Sequence, residues 1–69
     1  RGMTILDLVL DAGGLTTFAD GDGALLYRKT PDGVIAYKVY IEQILHEGRL
    51  LTNYELRPSD ILIIPESVF

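Results

Sequence analysis

The sequence predicts a small domain of the α+β class, in which helices pack against one short sheet. Its 69 residues are enough for a single domain at most. Apolar residues make up 48% of the chain, which is too many for a disordered acidic segment. These residues recur at helical spacing near the start of the chain and alternate with others further on, and this pattern predicts a helix followed by strands.

The first predicted element is a helix over residues 4–12. Thr4 is a favourable N-cap, and Asp7 three residues later resembles a capping box with a shorter acid. Gly13 and Gly14 are expected to end the helix, because glycine adopts the left-handed conformation of a helix C-terminus at little cost. A helix this short needs a sheet to pack on. The apolar stripe that would face the sheet comprises Ile5, Leu6, Leu8, Val9, Leu10 and Ala12.

A β-hairpin is predicted after a surface loop over residues 15–23. Its strands cover 24–29 and 34–40, and the turn sequence Thr30-Pro31-Asp32-Gly33 joins them. Alternation in the second strand predicts which side chains point inward. Those expected to face the core are Ile35, Tyr37, Val39 and Ile41, and those expected to face solvent are Ala36, Lys38 and Tyr40.

The last part of the chain is predicted to be less regular. A short helix covers 41–47, and Gly48 ends it. The segment 50–57 is expected to anchor on the core through Leu51, Tyr54 and Leu56 without a regular element, and Tyr37 and Tyr54 are expected at the edge of the core. Pro58 and Asp60 mark a turn, and 61–64 is predicted to be a short buried strand.

The composition excludes several kinds of site. The chain has no cysteine and one histidine, which excludes thiolate and histidine-rich metal centres. A net charge of −4 argues against nucleic-acid binding. No apolar run reaches the roughly 18–20 residues that span a bilayer. A calcium loop starting at Asp20 would need glutamate at its twelfth position, where this chain has Pro31.

No enzyme motif is found in the sequence. Gly13-Gly14 follows a helix, whereas the glycines of phosphate loops follow a strand and open a helix. Ser59 and Ser67 flank the last strand and do not match a nucleophile elbow. We therefore expect no catalytic residue, no cofactor and no metal.

Exposed aromatic and charged side chains are the candidate ligand-binding positions. Tyr40 follows Lys38 on the outward side of its strand and suits a sugar ring or a protein partner, because tyrosine has an apolar ring and a hydrogen-bonding tip. Cross-strand packing of Tyr40 on the 24–29 strand is the alternative. Asp20 and Asp22 add the preceding loop to this candidate surface, although a solvated turn is the better explanation of the Asp20–Gly23 sequence.

Several segments together resemble the SLBB domain, a soluble ligand-binding β-grasp module. They are most similar to the outer-membrane polysaccharide export proteins of capsule and exopolysaccharide systems. Two positions depart from the family pattern. Ser59 stands where the family usually has glycine, and Tyr40 where it commonly has aspartate. The serine is expected to cost little, because serine is common in turns. The similar segments are 2–8, 11–16, 18–20, 37–41 and 53–66.

The resemblance implies a β-grasp fold, in which a β-hairpin precedes a helix that lies across a mixed sheet. Residues 1–69 would then form one SLBB-like domain whose first hairpin is absent from this chain. The sheet edge left bare would be a hazard for uncontrolled pairing. Upstream segments of the same export protein, or other copies of it, are therefore expected to pair with this edge.

The function that the resemblance implies is non-catalytic. The domain would be a periplasmic module associated with the outer membrane, would help to assemble the export channel, and would contact the exported polysaccharide or a neighbouring subunit. One alternative is a protein-interaction module with no sugar contact. Another is a β-grasp domain that binds a small molecule.

Overall fold

The computed structural model describes residues 2–66 and has the predicted α+β class. Two helices accompany a three-stranded antiparallel sheet, and a single turn of 3₁₀-helix at Gly21–Gly23 leads into the first strand. Each helix and strand begins and ends within one residue of its predicted range. The elements are α1 (Ile5–Asp11), β1 (Ala24–Thr30), β2 (Gly33–Val39), α2 (Ile41–Glu47) and β3 (Ile61–Ile63).

The predicted capping box starts α1. The Thr4 hydroxyl oxygen accepts a hydrogen bond from the backbone N–H of Asp7 at 3.3 Å. In return, the Asp7 carboxylate accepts one from the backbone N–H of Thr4 at 2.9 Å. Gly13 and Gly14 follow the helix with φ angles of 93° and 89°, a region that favours glycine. Leu10 is exposed, so the predicted stripe is too wide, because only one side of a short helix faces the core.

The sheet has the strand order β2-β1-β3, and both pairings are antiparallel. β1 and β2 pair along all seven residues of each strand, from Ala24 opposite Val39 to the hairpin turn. β3 pairs with β1 over three residues only, with Leu62 opposite Leu26. β1 is therefore the central strand, and β2 and β3 are the two edges.

The core lies between the helices and one face of the sheet, here called the inner face. β1 supplies alternate residues to it, as a pleated strand must. Tyr37 and Tyr54 pack against its edge, as predicted, with ring centroids 5.4 Å apart. The buried apolar residues are Ile5, Val9, Ala24, Leu26, Val39, Ile41 and Ile44.

The segment between α2 and β3 forms no long regular element, as predicted, but it connects the starts of both helices. The Thr52 hydroxyl accepts a hydrogen bond from the backbone N–H of Tyr40 at 3.0 Å. The Asn53 side-chain oxygen accepts one from the backbone N–H of Leu6 at 2.8 Å. The first N–H groups of a helix have no partner within it, so side chains from this segment satisfy groups that would otherwise need water.

Three predictions of burial are wrong. Leu51 is 94% exposed, so only Tyr54 and Leu56 of the three predicted anchors pack against the core. Ile61 and Ile63 are 58% and 48% exposed, so residues 61–64 are not a buried strand. Successive side chains of a strand point to opposite faces, and only Leu62 of β3 faces the inner side. Ile35 belongs to the inner set but is 44% exposed. The buried residues of the hairpin lie at its Ala24–Val39 end, whereas Ile35 lies towards the turn.

Candidate functional site

An arginine and an aspartate form a buried pair at the point where the apolar core ends. Arg28 lies on β1, on the same face as Ala24 and Leu26, and Asp60 directly precedes β3. The guanidinium Nε lies 3.1 Å from Asp60 Oδ1, and Nη2 lies 2.8 Å from Oδ2. The two side chains are only 11% and 4% exposed. This two-pronged, charge-assisted geometry fixes both side chains more firmly than a single contact would.

Neighbouring groups complete the arrangement. Nη2 of Arg28 also donates to the carbonyl oxygen of Glu55 at 2.9 Å, and the backbone N–H of Arg57 donates to Asp60 Oδ2 at 2.8 Å. The guanidinium carbon lies 5.5 Å from the ring centroid of Tyr37, within the range of a cation–π contact. The hydrogen bond from Arg28 holds the pKa of Asp60 below its ordinary value of 3.8, and the same bond raises the pKa of Arg28.

The Arg28–Asp60 pair anchors the chain before β3 onto the hairpin. Within residues 2–66, no buried polar side-chain atom lacks a hydrogen-bond partner, so this pair leaves nothing buried and unpaired to attract a ligand. Asp60 was predicted as a turn residue, and Arg28 was missed. The signal for Arg28 was its spacing. It lies two residues after the core-facing Leu26, so its side chain must point inward, and a buried arginine needs an acidic partner.

Three predicted ligand-binding residues lie in the corner formed by the 3₁₀ turn and the start of α2. Asp22 Oδ1 accepts a hydrogen bond from the backbone N–H of Glu42 at 3.1 Å. Asp20 Oδ1 accepts one from the backbone N–H of Gly23 at 3.1 Å. Tyr40 is the N-cap residue of α2. Both carboxylates therefore cap backbone groups, which is a structural role.

The fourth predicted residue, Lys38, lies elsewhere. It is opposite Leu25 and exposed on the sheet face that points away from the helices. Tyr40 does not continue this outward set as predicted. The strand ends at Val39 and the chain turns into α2, so Tyr40 is half-buried. The four predicted residues thus fall on two different surfaces.

The sheet face opposite the core, here called the outer face, carries several exposed apolar side chains. Directly opposed residues of antiparallel strands share a face, so the pairing defines its members. Ile61, Ile63 and Val34 are the most exposed apolar side chains on it. Its two charged side chains, Lys29 and Lys38, are both positive. The face comprises Leu25, Tyr27, Lys29, Val34, Ala36, Lys38, Ile61 and Ile63.

The two edges of the sheet differ in character. β3 has three residues, and Pro58 and Pro65 lie close to its ends, so little pairing is open there. β2 has seven residues in unbroken register with β1. Every second residue of such an edge strand directs its N–H and C=O groups away from its neighbour. Within the described residues, β2 is the longer open edge.

The remaining observations on residues 2–66 concern pockets, metal sites, membrane spans and the single histidine. No pocket is found on this part of the chain, and it holds no group of three or more acidic or histidine side chains that could bind a metal ion. None of its helices has the length and apolar character to cross a membrane. His46 Nε2 lies 3.1 Å from Glu42 Oε1 on the surface of α2.

Comparison with known proteins adds no assignment. No protein-family model matches the chain, and no solved structure matches it either. The likeness to SLBB domains therefore rests on the sequence segments described above.

Proposed function

We propose that this chain is a non-catalytic assembly module with a β-grasp fold, from a periplasmic, outer-membrane-associated polysaccharide export protein. Its outer face would pack against another part of the same export protein. The observation that carries the proposal is the outer face itself, an apolar sheet surface that no described element covers.

The strand order is compatible with the β-grasp part of the proposal. The chain runs helix, hairpin, short helix and final strand, and β3 lies at one edge of the sheet. That edge is where the resemblance places the first hairpin of the β-grasp fold. A hairpin added beside β3 would also extend the outer face at Ile61 and Ile63, so that completing the fold and covering this surface would involve the same region.

The apolar chemistry of the outer face favours a protein partner. Contiguous apolar patches on small soluble domains commonly mark contacts with other proteins. Ile61 and Ile63 together expose about as much surface as one fully exposed isoleucine. Burial of one such side chain contributes about 1.5–3 kcal/mol, which corresponds to roughly a tenfold to hundredfold change in affinity.

The charge of the outer face indicates the chemistry of that partner. Lys29 and Lys38 are its charged side chains, although the chain as a whole has a net charge of −4. A partner surface with carboxylates around an apolar centre would match this pattern. We therefore assign the outer face to a contact with an acidic, apolar-centred surface of the same export protein.

The test replaces Ile61 and Ile63 with lysine in the full-length protein and measures the size of its assembly by light scattering. The buried charges should disrupt assembly. Leu51→Lys is the matched control, because Leu51 is 94% exposed and lies outside the sheet. Normal assembly of the Ile61→Lys, Ile63→Lys double variant would overturn the proposal. Disruption by both variants would show a general loss of solubility and would equally count against it.

Contact with the exported glycan is a second candidate, favoured by one observation. Tyr40 is the N-cap residue of α2, and the exposed Asp22 accepts a hydrogen bond from Glu42 of the same helix, so an aromatic residue and a carboxylate both lie at the start of α2. Tyr40→Ala should then weaken association with the polysaccharide in a glycan titration, because sugars stack on aromatic rings. Lys38→Ala serves as a comparison on the other surface. Unchanged binding in the Tyr40→Ala variant would exclude this corner as the glycan site.

A further inference from the structure

We propose that β2 pairs antiparallel with β2 of a second copy of this chain, about a two-fold axis that passes through Ala36. This interface uses the open β2 edge, including its outer-face residues Val34, Ala36 and Lys38, whereas the contact assigned above is tested at Ile61 and Ile63 on the opposite edge strand β3. It is therefore separate from the contact assigned above, and it does not depend on a role in polysaccharide export.

The β2 edge lacks the features that normally prevent strands from pairing. Natural edge strands are short, bulged, interrupted by proline or rich in charge. β2 has seven regularly paired residues, no proline within it, and Lys38 as its only charged residue. It presents regularly spaced N–H and C=O groups that water alone would otherwise satisfy.

The register of the pairing follows from symmetry. In a two-fold antiparallel pair, one residue lies opposite its own copy. Ala36 is the middle residue of Gly33–Val39, so this centre pairs all seven residues, and any other centre leaves some of them unpaired. Alanine also has a small side chain, which allows two copies to approach closely at the axis.

The side chains of this register complement each other. On the inner side, Ile35 lies opposite the second copy's Tyr37, about 5 Å away between Cβ atoms. This contact would cover Ile35, the inner-face residue left 44% exposed towards the hairpin turn. The Tyr37 ring is already positioned for contact with Ile35, because it packs against Tyr54 and the Arg28 guanidinium.

The charges do not oppose the pairing. Lys38 lies opposite the second copy's Val34, and its aliphatic stem can cover that exposed side chain. The two lysines are displaced by four residues along the strands, or about 14 Å, so their ammonium groups do not face each other. The pairing thus combines the Ile35–Tyr37 contact on the inner face, the Lys38–Val34 contact on the outer face, and hydrogen bonds between the free backbone groups of the two β2 edges.

The test uses single cysteines, which the cysteine-free chain allows without interference. Under mild oxidation, Ala36→Cys should form a disulfide dimer, because its two copies lie directly opposite each other. Val34→Cys and Lys38→Cys should each stay uncrosslinked alone, since their copies are about 14 Å apart. An equal mixture of these two variants should crosslink, because Val34 and Lys38 face each other across the interface.

The expected difference is at least about tenfold in the rate of crosslinking, because the paired strands raise the local thiol concentration far above that in bulk solution. All three positions are exposed, and circular dichroism would verify that each variant is folded. Equal crosslinking by all three single variants, or crosslinking only in the Val34→Cys plus Ala36→Cys mixture, would overturn the register. A monomer in sedimentation at high concentration would overturn the interface.

The two proposals fail independently. If the cysteine pattern is absent but lysine at Ile61 and Ile63 still disrupts assembly, the edge pairing is wrong and the outer-face contact stands. If the cysteine pattern is present but the lysine variants assemble normally, the edge pairing stands and the assigned role of the outer face is wrong.

Discussion

Ser59 should destabilise the turn before β3, so its replacement by glycine should stabilise the fold. Its φ angle is 72°, in the left-handed region. A residue with a Cβ atom pays about 1–2 kcal/mol there. Glycine avoids this cost but loses roughly 0.5–1 kcal/mol through the greater freedom of the unfolded chain. Because Ser59 is exposed, Ser59→Gly should gain about 0.5–1 kcal/mol.

Gly48 offers the matched inverse of this experiment. It ends α2 with a φ angle of 65°, and a Cβ atom added there would meet nothing within 4 Å. Gly48→Ser should therefore lose about as much stability as Ser59→Gly gains, through backbone strain alone. Urea unfolding, followed by circular dichroism, would measure the stability change of both variants. On heating, their melting temperatures should shift by about 2–8 °C in opposite directions. Shifts of the same sign, or an unchanged urea midpoint for Ser59→Gly, would refute the reasoning.

Three further predictions concern the core, the helix cap and the ion pair. Leu26→Ala should cost about 2–5 kcal/mol in urea unfolding, because Leu26 is fully buried in the central strand, whereas Leu51→Ala should change stability by less than about 0.5 kcal/mol. Thr4→Ala should cost about 1 kcal/mol by removing the capping box of α1, and a loss of helical signal on heating would report it. Because the pKa of Asp60 is lowered in the folded chain, its carboxylate stabilises the fold at pH values above its ordinary pKa of 3.8. This contribution is lost as the pH falls through the lower pKa of the folded state. Asp60→Asn should accordingly flatten the acid limb of stability against pH, and an unchanged acid limb would show that other carboxylates control it.

The regular elements could be predicted because their signals are local. The capping box at Thr4, the proline turn before Gly33 and the stop at Gly48 each occupy a few neighbouring residues, and each marks a boundary of an element in the structure. Hairpin pairing follows from the short turn. Local chemistry of this kind does not depend on what lies across the core, so the sequence alone is sufficient.

Burial could not be predicted as well, because it depends on what covers each face. Alternation identified Ile35 as inward-facing, but no pattern within β2 shows that the core ends before the hairpin turn. Residues 61–64 form a continuous apolar run, which is typical of a strand covered on both faces. In the structure only one face is covered, and Ile61 and Ile63 lie on the other.

The candidate site was hard to predict for a related reason. Arg28 and Asp60 are 32 residues apart, and their pairing becomes visible only when β1 and β3 lie side by side. The turn serine illustrates the same limit. Serine is common in turns, and that general preference indicated little cost, but the cost depends on the φ angle of this particular turn.

The Arg28–Asp60 pair explains how so short a chain orders a hairpin longer than its core. The buried apolar residues end near Leu26, and two more residue pairs separate Arg28 from the turn. An exposed hairpin of this length would be marginal on its own. Arg28 replaces apolar packing there with directional bonds to Asp60 and to the Glu55 carbonyl, and its guanidinium also contacts Tyr37. The ion pair thus fixes β1 beyond the core and contacts β2 at Tyr37, next to the region where Ile35 and the open edge would meet a second copy.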